Sequence, residues 1–136
     1  MIVIDTSAVI AILKEEAEAE FFAEIIIDQD RCLLSAMGMF EASMVMIGRG
    51  PPVLSDGLDA LVERTGIEVV SVDRQLAIDS RAAFIRFGKG RHPASLNFGD
   101  CVSYTLARAR GLPLLYKGED FAKTDVISAA RRNVSG

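Results

Sequence analysis

The sequence predicts an α/β fold in which helices cover both faces of a parallel sheet. Apolar runs of four to six residues, rich in branched side chains, are typical of short strands buried on both faces. These runs alternate along the chain with longer segments whose apolar residues recur at helical spacing. Because strands joined by helices pair in parallel, we expect a three-layer α/β/α arrangement with a sheet of four to five strands.

The first predicted strand, Met1–Ile4, lies in "MIVID", and either Thr6 or Ser7 is expected to cap a helix that ends at Leu13. The helix predicted in "MGMFEASMVMIGRG" is apolar enough to be largely buried. Phe84, in the helix predicted in "DRQLAIDSRAAFIRFG", is expected to face inward. The remaining segments are, in order, a helix in "EEAEAEFFAEIII", a strand in "RCLLSA", the buried helix in "MGMFEASMVMIGRG" stopped at Pro51-Pro52, a helix in "VLSDGLDALVERTG", a strand in "IEVVSV", a helix in "DRQLAIDSRAAFIRFG", a loop in "GKGRHPASLNFG", a helix in "DCVSYTLARARG", a strand in "LPLLYK" and a candidate fifth strand in "DVIS".

Length and composition predict a single domain. The chain has 136 residues, of which 50% are hydrophobic and 25% charged, so it can bury a core without disulfides. We expect residues 1–130 to form the domain and residues 131–136 a C-terminal tail. The two cysteines lack metal-ligand spacing and His92 is the one histidine, which argues against a zinc site. Few cysteines, no signal peptide and no long apolar run predict a cytoplasmic protein without a membrane span.

The charge is unevenly distributed. The formal net charge of −4 argues against a nucleic-acid partner. The segment from Ser80 to Gly99, however, contains Arg81, Arg86, Lys89 and Arg91 and no acidic residue. This segment fits either a surface that binds phosphates or an ordinary solvated helix face and loop.

Acidic residues follow two of the predicted strands. Asp5 comes directly after the first strand, and Glu119 and Asp120 follow the strand "LPLLYK". The carboxyl ends of parallel strands share one edge of a sheet, where α/β proteins place their sites. Asp5 therefore either caps the next helix or holds a positive group, and turn formation is the alternative role of the Glu119/Asp120 pair.

Two further acids lie on predicted helices. Glu41 has only apolar or glycine neighbours three and four residues away, and an unpaired carboxylate in such surroundings is costly. Asp100 opens a helix, where capping alone could explain it, but Asn97 and Gly99 already offer caps. Converging carboxylates repel one another unless a cation lies among them, and oxygen ligands favour Mg²⁺ or Mn²⁺.

The blocks "MIVIDTSA", "FEAS", "GKGRHPASLNFGDCVSYTLA" and "LPLLYKGEDFAKTDV", taken in this order, resemble the PIN-domain family, and within it the VapC toxins of toxin–antitoxin pairs. The similarity extends from Met1 to about Val126. "IDTSA" or "FGDC" alone would be a weak signal, whereas the four blocks in order, with plausible spacing, are a strong one. The resemblance implies a PIN-like α/β/α fold.

The resemblance also implies an endoribonuclease in which four acids coordinate one or two Mg²⁺ or Mn²⁺ ions and water, activated by the metal, cleaves the phosphodiester. Transferred residue by residue, the acids are Asp5, Glu41, Asp100 and an acid of "GEDF", where Asp120 matches the family form better than Glu119. Thr6 or Ser7 resembles the hydroxyl residue beside the first acid.

Partners follow from the same resemblance. The RNA backbone would be bound by Arg86, Lys89, Arg91 and His92, a contact that is independent of sequence and weakens with salt, with an unpaired RNA loop providing selectivity. A VapB-like antitoxin would inhibit the enzyme by placing a basic side chain in the acid pocket, and homodimers are expected. Lys117 either helps to hold phosphate or is a surface charge.

Other classes of function fit the residues less well. A phosphatase with a strand-end aspartate nucleophile requires a second acid two residues later, where this chain has Ser7. A receiver domain could use Asp73 and Lys117, but it needs an acid pair at the first strand and leaves Glu41 unexplained. The remaining alternative is a PIN-like module that binds RNA or a partner without cleaving, although all four acids are present here.

Overall fold

The computed structural model of the protein describes residues 1–49 and 53–130. Within these residues, four strands form one sheet in which every pairing is parallel, in the order β3-β2-β1-β4. The strands are β1 (Ile2–Ile4), β2 (Cys32–Ser35), β3 (Glu68–Val70) and β4 (Leu114–Leu115). The predicted α/β class is confirmed. The candidate fifth strand is reduced to one parallel bridge between Leu114 and Ser128.

Every segment predicted to be helical contains a helix. The helices are α1 (Thr6–Leu13), α2 (Ala19–Ile27), α3 (Ala36–Gly48), α4 (Val53–Thr65), α5 (Arg74–Phe87) and α6 (Phe98–Arg110), followed by a short 3-10 helix (Phe121–Lys123). None of the helices in the described residues is both long and apolar enough to cross a membrane. The predicted stop at Pro51-Pro52 and the tail at residues 131–136 lie outside the described residues.

The sheet separates two apolar clusters. Alternate strand side chains point to opposite faces. Val3, Leu33 and Leu114 pack with residues of α5 and α6. On the other face, Ile4 and Leu34 belong to a cluster with residues of α1, α2 and α4. Helices therefore cover both faces, and the carboxyl ends of the strands remain as the edge at which a site can form.

Two predictions about burial are wrong. Helix α3 buries only Gly38, Ala42 and Met46 among its residues, whereas Phe40 and Met44 are 60% and 54% exposed. Phe84 is also 41% exposed rather than directed into the core. In both helices the apolar residues extend beyond the stripe that contacts the sheet and its neighbours.

Candidate active site

Asp5 has two roles at the edge of the sheet. Its N–H donates to the carbonyl of Leu115 at 2.9 Å, so the residue that ends β1 lies beside the end of β4. Asp5 is itself the N-cap of α1, which corrects the expectation that Thr6 or Ser7 caps this helix. Its Oδ2 accepts hydrogen bonds from the Ser7 N–H at 3.0 Å and the Ser7 hydroxyl at 2.6 Å.

The second carboxylate oxygen of Asp5, Oδ1, is not used in the helix cap. The residue is only 2% exposed, and its Oδ1 is buried without a hydrogen-bond partner among the described residues. Ser7, which orients the carboxylate, is fixed in turn because its Oγ accepts the backbone N–H of Lys117 at 3.0 Å. A buried carboxylate oxygen without a donor is costly unless a positive group binds it.

Glu41 reaches toward Asp5 from α3. Burial raises the pKa of its carboxyl, a hydrogen bond from Thr6 lowers it, and the charge of Asp5 raises it again, so that the pKa lies above its usual value. The Gly38 carbonyl, 3.3 Å from the Thr6 hydroxyl, is the alternative acceptor for its single hydrogen. The half-buried acid therefore has a hydroxyl neighbour on α1 and a like charge close by.

Gly99 lets α6 approach the Glu41 carboxylate. A Cβ built on Gly99 would lie 2.8 Å from both carboxylate oxygens, closer than real Cβ contacts. From the sequence, Gly99 was expected only as a potential cap. The sequence feature that could have indicated its contact with Glu41 is a glycine in the first turn of a helix, next to an acid, where glycine lowers helix propensity.

Asp100 begins α6 in a capping box with Asn97. The Asn97 N–H donates to Asp100 Oδ2 at 3.0 Å and the Asp100 N–H donates to Asn97 Oδ1 at 2.9 Å. The expectation that Asp100 is not needed for capping is therefore wrong. Burial raises the pKa of Asp100, the Asn97 hydrogen bond lowers it, and the charges of Asp5, Glu41 and Asp120 raise it, to about 6 in all.

The two candidates for the fourth acid differ in their surroundings. Asp120 is among the charges that raise the pKa of Asp100, and Glu119 is not. Asp120 precedes the 3-10 helix and makes no side-chain capping bond there, so its carboxylate is not used in the turn. Both residues are exposed. These observations support the preference for Asp120 over Glu119.

The site thus gathers oxygen donors from four separate parts of the fold, after β1, on α3, at the start of α6 and after β4. In the described residues, no three Asp, Glu, His or Cys side chains are arranged so that they could hold a metal ion as they stand. The mutual repulsion of neighbouring carboxylates is reduced when a cation lies among them. The donor chemistry fits Mg²⁺ or Mn²⁺.

The predicted RNA-binding residues are not equivalent. Arg86 forms an ion pair with Asp125 at 3.4 Å, and Arg108 approaches the same carboxylate at 3.7 Å. The Arg86 guanidinium also lies 4.6 Å from the ring centre of Phe87. Asp125 also accepts a hydrogen bond from the Tyr104 hydroxyl. Part of the Arg86 charge is therefore compensated within the chain.

Two residues of the loop after α5, Arg91 and His92, have structural roles. The Arg91 Nε donates to the Ile85 carbonyl at 3.1 Å. The His92 ring packs edge-on against Phe87 at 4.9 Å, and its Nδ1 accepts the Ala94 N–H. Lys89 is exposed, and its ammonium group has no ion pair or hydrogen bond within the described residues.

Lys117 lies near the first acid but binds other carboxylates. Its ammonium is 3.2 Å from Glu16 and 3.0 Å from Glu18, which lie between α1 and α2. Hydrogen bonds to Glu18 and Glu16 raise its pKa. Of the two roles considered for Lys117, this geometry favours a structural surface charge that links the α1–α2 connection to the end of β4.

Comparison with known protein families identifies the class of protein to which this fold and its acids belong. Residues 2–127 match the PIN domain family, and the chain belongs to this family. Two of its relatives within the family are named as ribonucleases. It is 44% identical over 131 residues to Ribonuclease VapC28 of Mycobacterium tuberculosis, covering 96% of this chain and 98% of the relative. Ribonuclease VapC of Mycolicibacterium smegmatis is 42% identical over 126 residues, with 93% and 98% coverage.

Solved structures share the fold at low sequence identity. VapC20 of Mycobacterium tuberculosis, a toxin that cleaves the sarcin–ricin loop, superposes with a TM-score of 0.77 at 16% identity, covering 93% of this chain and 97% of that one. A toxin–antitoxin complex from Klebsiella pneumoniae gives a TM-score of 0.73 at 17% identity, with 96% and 98% coverage. The resemblance to VapC proteins seen in the four sequence blocks is confirmed.

Proposed function

We propose that this PIN domain is an endoribonuclease of the VapC type that holds Mg²⁺ or Mn²⁺ with Asp5, Glu41, Asp100 and Asp120. The observation that carries the proposal is the convergence of these acids: Gly99 brings α6 against the Glu41 carboxylate, and Asp5, Glu41 and Asp120 all act on the pKa of Asp100. Burial and then the charges of the other three acids raise that pKa to about 6. Carboxylates that destabilise one another's charge are held together in a fold when a cation stabilises them.

The unpartnered Oδ1 of Asp5 supports a metal at this place. Ser7 occupies only Oδ2, and the Asn97 N–H likewise occupies one oxygen of Asp100. Each carboxylate is thus oriented by one oxygen and has the other available as a ligand. Thr6 favours the ionised form of Glu41, which ligation requires.

A bound divalent cation would activate water for attack on a phosphodiester and neutralise the charge that develops. The chain's own residues position the acids, and the thiol beside them is not suited to act as a nucleophile. Burial and then the Asp100 charge raise the pKa of the neighbouring Cys101 thiol to about 11, so it stays protonated near neutral pH. His92 packs on Phe87 and is not one of the charges that act on Asp100.

For binding the RNA backbone, the structure favours Lys89 and the exposed part of Arg86. Arg91 and His92 contribute first to the shape of the loop, since Arg91 is hydrogen-bonded to the end of α5 and His92 is hydrogen-bonded within the loop. Arg86 remains exposed enough to contact phosphate while it pairs with Asp125. We therefore expect Lys89→Ala to weaken RNA binding and its salt dependence without changing the fold.

Regulation and assembly are part of the proposal. A VapB-like antitoxin would inhibit the enzyme by placing a basic group among the acids, where negative charge is concentrated. The exposed side chains of Phe40, Met44 and Ile47 form an apolar stripe on α3 that is suited to a homodimer contact. The two free, buried cysteines fit a protein that acts in the reducing cytoplasm, where its RNA substrate is found.

The decisive experiment is cleavage of total cellular RNA by the purified protein without a partner. Reactions would contain Mg²⁺, Mn²⁺ or EDTA, and would compare the natural protein with Asp100→Asn and with Asp28→Asn, an exposed acid at the end of α2. We expect discrete fragments that require the metal, disappear with Asp100→Asn and persist with Asp28→Asn. Intact RNA with a folded protein would instead support a module that binds RNA or a partner without cleaving.

Metal binding should be measured separately from activity. Titration of Mn²⁺ by calorimetry is expected to show binding to the natural protein and much weaker binding to Asp100→Asn. Equal binding by the two would exclude Asp100 as a ligand, whatever the cleavage assay shows.

A further inference from the structure

An apolar groove of about 430 Å³ lies beside the acids, between α5 and the start of α6. Its walls include Met37, Val72, Ser80, Phe84, Phe98 and Val102. Both aromatic residues are far from buried, since Phe98 is 72% exposed and Phe84 is 41% exposed. The described acids lie next to this groove but none of them lines it.

The groove and the acid site share the first turn of α6. Phe98 precedes Gly99, which contacts the Glu41 carboxylate, and Asp100 follows at once. Two residues correspond to a rise of about 3 Å along a helix. Phe98 and Asp100 leave the helix in different directions, so Phe98 is an exposed aromatic ring on the groove side of the same helix turn that carries Asp100.

The charge of the groove suits a nucleic acid. Arg81 is the one charged residue among those that line it, and it has no ion pair or hydrogen bond in the described part of the chain. Arg81 also begins the run of basic residues between Ser80 and Gly99 that contains no acid. A cation at the wall of an apolar, aromatic groove matches a nucleotide, whose base is flat and whose phosphate is negative.

The wall also contains a polar group without a partner. Ser80 is 8% exposed, and its hydroxyl is buried with no hydrogen-bond partner among the described residues. An apolar site with one hydroxyl and one cation has the composition of a small-molecule or nucleobase pocket.

We propose that this groove is a base-binding subsite, in which one unpaired nucleobase of the RNA substrate stacks on Phe98 and contacts Phe84, while Arg81 binds a neighbouring phosphate. The inference rests on the proposed ribonuclease function and extends it to the selection of substrate. It requires single-stranded RNA at this position, because a base inside a duplex cannot leave its stack without cost. A second protein chain could cover the same apolar surface, but the free Arg81 and the adjoining acid site favour the RNA substrate.

The test uses a single-stranded RNA oligonucleotide that carries one cleavage site mapped in total RNA. Stacking predicts that Phe98→Ala lowers kcat/KM by about 5- to 150-fold. Phe98→Tyr should retain cleavage, whereas Phe98→Leu, which keeps apolar bulk without the ring, should lose most of it. Ile127→Ala is the matched control, because Ile127 is 59% exposed and does not line the groove.

Substrates lacking one base identify the contact itself. A base removed from the stacked position should slow the natural protein by the same factor as Phe98→Ala and should not slow Phe98→Ala further. Equal cleavage by Phe98→Ala and the natural protein overturns the proposal while leaving the ribonuclease function intact. The same holds if Phe98→Leu is fully active.

A binding measurement separates failure of the groove from failure of the enzyme. In the Asp100→Asn background, Phe98→Ala should weaken binding of the labelled oligonucleotide by a similar factor, measured by fluorescence anisotropy. Unchanged binding overturns the proposal even if the natural protein does not cleave RNA. Sedimentation provides the last outcome, since loss of a dimer in Phe98→Ala with unchanged RNA binding would identify the groove as a protein interface instead.

Discussion

Replacement of Gly99 by alanine tests whether close packing of α6 holds the Glu41 carboxylate in place. The added Cβ would lie 2.8 Å from both carboxylate oxygens, and ordinary contact begins at 3.4 Å. The carboxylate must therefore move by about 0.6 Å, which is the difference between these two distances. Because it is the end of a flexible side chain, it can move without unfolding the protein.

The displacement predicts a selective loss of activity. A misplacement of about 1 Å in a catalytic arrangement can cost about 100-fold in rate. We therefore expect Gly99→Ala to lower kcat/KM for RNA cleavage by about 10- to 100-fold and to weaken Mn²⁺ binding. Stability should stay within about 1 kcal/mol of the natural protein, because alanine recovers helix propensity that glycine lacks. Urea unfolding, calorimetric Mn²⁺ titration and RNA cleavage measure the three effects.

The control is Gly48→Ala in the last turn of α3. No described atom lies within 4 Å of a Cβ placed on Gly48, so this variant gains helix propensity without displacing a neighbour. It should be slightly more stable and fully active. Cleavage and Mn²⁺ affinity that remain natural in Gly99→Ala would refute the reasoning, because they would mean that the position of Glu41 relative to α6 does not matter.

Three further outcomes follow from individual contacts. Without metal at pH 8, Asp100→Asn should raise the free energy of unfolding, measured in urea, by about 1–2 kcal/mol. A carboxyl whose pKa rises from 3.8 to about 6 on folding destabilises the folded state as it ionises, and solvent screening of this partly exposed group reduces the effect. Asparagine keeps the acceptor for the Asn97 N–H. Tyr104→Phe should lower the free energy of unfolding by about 1–2 kcal/mol, because it removes a hydrogen bond to the Asp125 carboxylate. RNA cleavage should be unchanged, and a loss of cleavage in the folded variant would contradict a purely structural role. Lys117→Met should leave the cleavage rate near natural, and a large decrease would show that its charge acts on the substrate.

The order of elements could be predicted from the sequence because the strands are short apolar runs and the helices have clear ends. The α3 segment shows where this reasoning stops. Its residues are apolar nearly all round the helix, so the pattern contains no polar face from which the buried side could be inferred. Contacts with the rest of the fold determine that Ala42 is buried and that Phe40 is 60% exposed.

The position of the acids at one sheet edge was predictable in the same way, since two of them follow strands. The contacts that surround the site across the fold could not be predicted. Asp125 compensates part of the charge of Arg86 from 39 residues away along the chain, and no local pattern indicates such a pair. The contact of Gly99 with Glu41 also joins two helices, so the sequence marks the glycine without identifying its neighbour.

Capping and metal binding are not alternatives for Asp5 or Asp100. A carboxylate has two oxygens, and in each case hydrogen bonds from the chain account for one of them, Oδ2. That bond fixes the side chain at a helix start, where the N-terminal end of the helix also stabilises negative charge. The other oxygen would then bind the proposed cation with little further loss of side-chain freedom. A residue that the sequence marks as an ordinary helix cap can therefore also be a ligand, because the capping bond fixes the side chain through one oxygen and leaves the other available.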